Sequence, residues 1–325
     1  MVVVLFLTAC GGSGARVDST GTSEDQGVVA ARTEVLDDLG QNVALPGYES
    51  LAASATVLRS DLETACATPS VDLEPSRQSW LATMNDWLLI QAYRLGPLQE
   101  LDLTASIFYP IDPDKVDATA TAAVSDLSTI GSDAKGLGAI GHALYASDQL
   151  DGAACAYLLA MAARVADATE TVSNAWSDHI EGGWSTTFPT TQAGIEMLVN
   201  DAIASVAEAA RYLGDPPLDL AVEHDDGRDF EEIEARMIGI RDVYQGASGE
   251  GLSRLVELTF APTDERMNER LETALELLSG ASSNPTSEEY LASYEAVAAV
   301  HRTFTTEIAS QLGATLMFGD SDGDS

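Results

Sequence analysis

Apolar side chains recur at three- and four-residue spacings along most of the chain, and no convincing run alternates with the period of a strand. Trp80, Met84, Trp87 and Leu88 fall at i, i+4, i+7 and i+8, one stripe of a helix predicted over 74–95 and ended by Gly96-Pro97. Helices are expected before it at 28–39, broken by Pro46-Gly47-Tyr48, and at 49–66, stopped near Pro69. Asp112 followed by Pro113 is an acidic N-cap with proline at the first helical position, and it opens a helix predicted to reach about Ile130. Gly131 to Gly141 is glycine-rich and leads into a short helix. A long one follows at 148–176, with Leu158, Ala162, Val165, Val172 and Trp176 on its buried side.

A loop with two glycines and a proline, from His179 to Thr190, separates this half from the next. The second half predicts helices at 191–213, 230–244, 251–259, 264–278 and 287–312. Thr286-Ser287-Glu288-Glu289 before the last has the capping-box form. The expected class is all-α, two packed helical bundles over 28–185 and 186–325, behind a flexible tether at 11–27.

Composition adds an extreme charge. The 325 residues carry 52 acidic and 16 basic side chains, net −36, and Lys115 and Lys135 are the only lysines. Such a surface repels phosphate backbones, so nucleic acid is excluded as a partner. A solvated acidic surface suited to salty surroundings is the plainer reading of this charge; a cation-collecting surface is the sharper one.

The N-terminal MVVVLFLTAC is an apolar run closed by Leu7-Thr8-Ala9-Cys10, the form of a bacterial lipobox over residues 1–10. It is far too short to span a bilayer and lacks a basic leader, so an upstream start is expected. Lipid on Cys10 would anchor the chain to a membrane. The Gly-, Ser- and Thr-rich stretch that follows suits a tether. Cys66 and Cys155 then remain. In an exported protein they read as one disulfide, with two buried thiols as the alternative.

The stretch FYPIDPDKVD, a helical segment, and then GSDAKGLGAIGHALYA resembles the imelysin-like family of bacterial envelope proteins. Pro46-Gly47-Tyr48, Cys66 with Pro69, Trp80 with Trp87, Arg94-Leu95-Gly96-Pro97, Cys155-Ala156-Tyr157-Leu158, Trp176, Leu213-Gly214-Asp215-Pro216 and the ending from Leu312 to Asp324 resemble further family segments in order. The resemblance implies an all-helical two-domain fold, a cleft between the domains, and an envelope lipoprotein placed with iron-uptake systems, whose proteins would be its partners. It also implies a peptidase label and a Gly-x-His-x-x-Glu motif. Here Gly136 opens that motif, but Gly138 stands at the His position and Gly141 at the Glu position.

A His and a Glu three residues apart on a helix can reach one metal ion. Glycine supplies no ligand, so iron or another divalent cation has no support from the usual pair. His142 is the neighbouring candidate, turned by about 100° around the helix. Arg94, Asp112, Asp133 and Lys135 match polar positions around the family's cleft, with Glu223 carried over beside His224. Lys135 is expected to clamp Asp133 or Asp112, and His301 to be a core histidine. Asp320, Asp322 and Asp324 do not meet the EF-hand template. Three functions compete: a non-catalytic, lipid-anchored binding protein linked to iron or metal uptake, a metallopeptidase, and a protein-recognition module with a decayed site.

Overall fold

The computed structural model describes residues 23–67, 72–122, 124, 126–214, 229–281 and 285–316. Among these there is no strand. An isolated antiparallel bridge joins Phe108 to Gly136.

Helix α1 (Ser23–Leu39) runs without a break through a π-helical turn, Gly40–Ala44, into α2 (Leu45–Ala67). The break expected at Pro46 is therefore absent. Proline in a helix interior clashes with the carbonyl four residues back. Here the wide turn, in which Leu45 N–H reaches the Gly40 carbonyl, loosens the spiral where the ring enters. Gly47 is also needed, because a Cβ there would collide with the Tyr93 hydroxyl.

Helix α3 (Glu74–Leu89) tightens into a 3-10 turn, Ile90–Tyr93. Two single-turn helices, α4 (Pro97–Glu100) and α5 (Thr104–Ile107), precede α6 (Pro113–Thr121). Helix α6 starts on the predicted Asp112 cap but ends well short of Ile130; a 3-10 turn, Leu127–Thr129, is separately capped by Asp126. Next come α7 (Gly136–Tyr145) and α8 (Gly152–His179). Helices α2, α3, α6, α7 and α8 pack on one another. Cys66 at the end of α2 and Cys155 in α8 form a disulfide, with Cα atoms 5.5 Å apart.

The second set holds α9 (Thr191–Gly214), α10 (Asp229–Gln245), α11 (Leu252–Ser279) and α12 (Ser287–Thr303). A π-helical turn, Phe304–Ile308, carries α12 into α13 (Ala309–Leu312). Helix α11 is kinked where Phe260 leaves helical geometry two residues before Pro262, which accounts for the two predicted segments. The capping box at Thr286 and Glu289 is formed. The two sets meet where α3 and its 3-10 extension lie against α9 and α10, and α1 crosses over to rest on α9 and α11. Buried apolar residues from both sets join in one continuous core.

Candidate functional site

The family-like stretch closes on itself. Phe108 and Gly136 form the bridge, and Asp112 N–H donates to the Asp133 carbonyl at 2.8 Å. Gly136 has φ +79°, and a Cβ there would lie 2.6 Å from the Ile107 carbonyl oxygen, so this crossing demands glycine. Tyr157 on α8 pins the same strip by donating its hydroxyl to the Ala134 carbonyl at 2.7 Å.

The clamp on Asp112 and Asp133 is made by Lys115, not by Lys135. Lys115 Nζ lies 3.2 Å from Asp112 and also hydrogen-bonds the Asp133 carboxylate. One turn into α6, it projects back toward its own N-cap, and hydrogen bonding to both acids raises its pKa. Asp112 is shifted down chiefly by its hydrogen bond to Lys115. Lys135 instead has its proton affinity lowered by burial and by Arg164, so the expected pairing is corrected on both counts.

Helix α7 is buried on nearly every side. A Cβ at Gly141 would penetrate the indole ring of Trp80. That ring is held in place: its Nε1 donates to the Leu137 carbonyl at 2.7 Å, and Tyr145 meets it edge-on at 5.7 Å. Arg77 covers Tyr145 at 5.1 Å and donates to the Leu144 carbonyl at the helix end. Gly138 is buried as well. His142 turns outward, and its Nε2 sits 2.9 Å from Asp117 on α6. The residues at these motif positions do not fit a metal ion: two lack side chains, and the space beside Gly141 is filled by tryptophan. Among the described residues no group of three or more His, Cys, Asp or Glu is placed to hold one.

Arg94 lies elsewhere, at the junction of the two helical sets. Across from it on α9 is Asp201, whose carboxylate is approached by the backbone N–H groups of Arg94 and Leu95. Burial pushes the Asp201 pKa up to about 6, against the opposing pull of the Arg94 charge. Two polar atoms here, Arg94 Nε and Asp201 Oδ2, are buried with hydrogen-bonding capacity left over, as is Ser205 Oγ one turn further along α9. An aromatic wall adjoins them. Tyr48 stacks on Trp176 at 5.2 Å, meets Tyr93 edge-on at 6.2 Å, and donates to the Tyr93 carbonyl at 3.4 Å. Trp176 meets His179 edge-on at 5.6 Å, and Gly96, with φ +81°, brings the turn after Arg94 against both rings. Burial raises the Tyr48 pKa, and the Asp201 charge adds to the effect.

The sequence reading missed Asp201 and Ser205. The available signal was their position three and seven residues after Leu198, beside an apolar stripe where a carboxylate is out of place. His301 is half-buried on a groove rather than set in the core. Cys10, Glu223, His224, Asp320, Asp322 and Asp324 lie outside the described residues.

These features define an all-helical protein whose two helical sets enclose an Arg–Asp–aromatic centre beside a glycine-filled helix. The imelysin family model, Peptidase_M75, matches residues 44–312, and the chain belongs to that family. It is 23% identical over 230 residues to iron-regulated protein A of Synechococcus elongatus; the match spans 65% of this chain but only 64% of that relative's length. The fold is similar to that of an imelysin-like protein from Psychrobacter arcticus 273-4, with a TM-score of 0.76 at 16% identity over 89% of this chain and 98% of that one. It is also similar to a protein from Parabacteroides distasonis ATCC 8503 described as an iron-regulated protein A precursor, with a TM-score of 0.69 at 15% identity over 87% and 95% of the two chains.

Proposed function

We propose that this chain is a lipid-anchored protein of the bacterial cell envelope, a non-catalytic binding component of iron or other metal uptake. The observation that carries the non-catalytic part is Gly141 packed against Trp80: the position where the motif expects a glutamate holds the edge of an indole ring. Without the motif's His and Glu, the chain has no paired ligands there to polarise a scissile carbonyl or activate water. Export is supported by the precursor description of the Parabacteroides distasonis protein, and anchoring by the lipobox form around Cys10. The link to iron rests on the names of two relatives. Partners in this reading are the membrane, through the anchor, and envelope proteins of iron uptake.

The centre around Arg94 and Asp201 is where this reading places recognition, because charged groups and unspent hydrogen-bonding atoms converge between the helical sets. Isothermal titration with ferrous, ferric, zinc and calcium ions and with haem tests direct binding. Saturable binding weakened by Asp201→Asn is expected for at least one of them, since Asp201 carries the carboxylate of this centre, and its absence for all removes the direct version. Chelator-sensitive cleavage of casein by the purified protein would overturn the non-catalytic reading.

A further inference from the structure

A groove of about 450 Å³ lies between α9 and α12. Half-buried Ala207, Ala210 and Ala298 line it together with Arg211, Tyr294, His301 and Arg302. The charged side chains that line it, among the described residues, are both arginines, opposite in sign to the molecule as a whole. With 52 acidic residues against 16 basic ones, an arginine here is expected to find a carboxylate. Arg59, Arg77, Arg236, Arg241, Arg254, Arg266 and Arg270 each do. Arg32, Arg94, Arg164, Arg211 and Arg302 do not, among the described residues; of these five, Arg211 and Arg302, both exposed, line the same groove. The acid nearest in sequence to Arg211 on its own helix, Glu208, is already engaged by Arg236 at 3.1 Å and by the Tyr212 hydroxyl at 2.9 Å. Arg211 lies over the Tyr212 ring at 5.0 Å.

We infer that this groove binds a small oxyanion carrying at least two negative charges, a polycarboxylate or a phosphate. Guanidinium groups offer planar forks that grip such oxygens two at a time. The alanines leave room for the body of the anion between the helices. Tyr294, 37% exposed, and the His301 ring add hydrogen-bonding atoms along the wall. Burial and the Arg302 charge lower the proton affinity of His301, so the two arginines supply the fixed positive charge. The remaining acidic surface opposes binding weakly at physiological salt, since charges beyond about 8 Å are largely screened.

Titration calorimetry of the full chain with citrate and with inorganic phosphate, in chelator-treated buffer at physiological salt, tests the inference apart from any metal binding. Saturable one-to-one binding to at least one anion is expected, weakened about tenfold or more by Arg211→Gln or Arg302→Gln. Arg59→Gln, which breaks an exposed ion pair elsewhere, should leave it unchanged. Binding of citrate alone identifies the polycarboxylate, and binding of phosphate alone the phosphate. Heat that never saturates, or binding indifferent to both arginine variants, overturns the inference. So does binding of an acidic peptide when neither small anion binds, because that would make the groove a protein-docking surface.

Discussion

A carboxylate that ionises more readily in the unfolded chain than in the folded one loses stability as pH rises. Asp201 is such a group: burial lifts its pKa from 3.8 to about 6 despite the neighbouring Arg94. Between those values the folded state holds a proton that the unfolded chain has released, so stability falls with rising pH across that window and is level above it. A shift of this size corresponds to about 3 kcal/mol of penalty at neutral pH. Asp201→Asn removes the titration while keeping the side chain's shape. The stability difference between variant and native protein should therefore move in the variant's favour by roughly 2–3 kcal/mol from pH 4 to pH 7. Urea denaturation at a series of pH values measures it. A difference that stays flat with pH would mean that Asp201 is ionised in the folded protein at pH 4 and that Arg94 outweighs burial.

Among the elements, the disulfide between α2 and α8 spans the longest stretch of chain held by one covalent link, 89 residues of sequence. That loop contains α3 to α7, and with them the whole family-like stretch. Closing so long a loop removes much of the unfolded chain's freedom. The double variant Cys66→Ser/Cys155→Ser should lose about 2–5 kcal/mol of stability. Denaturation of the variant beside native protein, with and without reductant, checks this: reductant should destabilise the native chain and leave the variant untouched. The same elements show where local patterning succeeds and fails. The Asp112 cap, the Thr286 box and the Trp80 stripe are legible because each depends on neighbours within about two helical turns. Pro46 misleads because its tolerance depends on the π-helical turn just before it, which the local pattern does not announce. That Lys115 rather than Lys135 meets Asp133 is not legible in the sequence, because it depends on which lysine the fold points at that carboxylate.

For the molecule as a whole, a net charge of −36 on one continuous core means that self-repulsion opposes compactness. Only exposed, mutually distant charges are screened efficiently by salt. The melting temperature should accordingly rise as potassium chloride is increased from low concentration to about 1 M, where the screening length falls to roughly 3 Å. Scanning calorimetry across that series tests it, and a melting temperature independent of salt would show that the acidic surface carries no net strain.

The sequence by itself determined the helical class, the family, most helix limits in the second half and the loss of the motif's two ligands. Each of these is written in periodicity, in caps or in residue identity. Only the tertiary structure decided what the glycine at the Glu position does. Small residues can leave a pocket or admit a neighbour, and the outcome rests with whatever side chain arrives from elsewhere in the chain. At Gly141 that side chain is Trp80, fixed by its hydrogen bond to Leu137. The pairing of Arg94 with Asp201 was equally invisible, because 107 positions separate them along the chain and only the packing of α9 against the end of α3 brings them together.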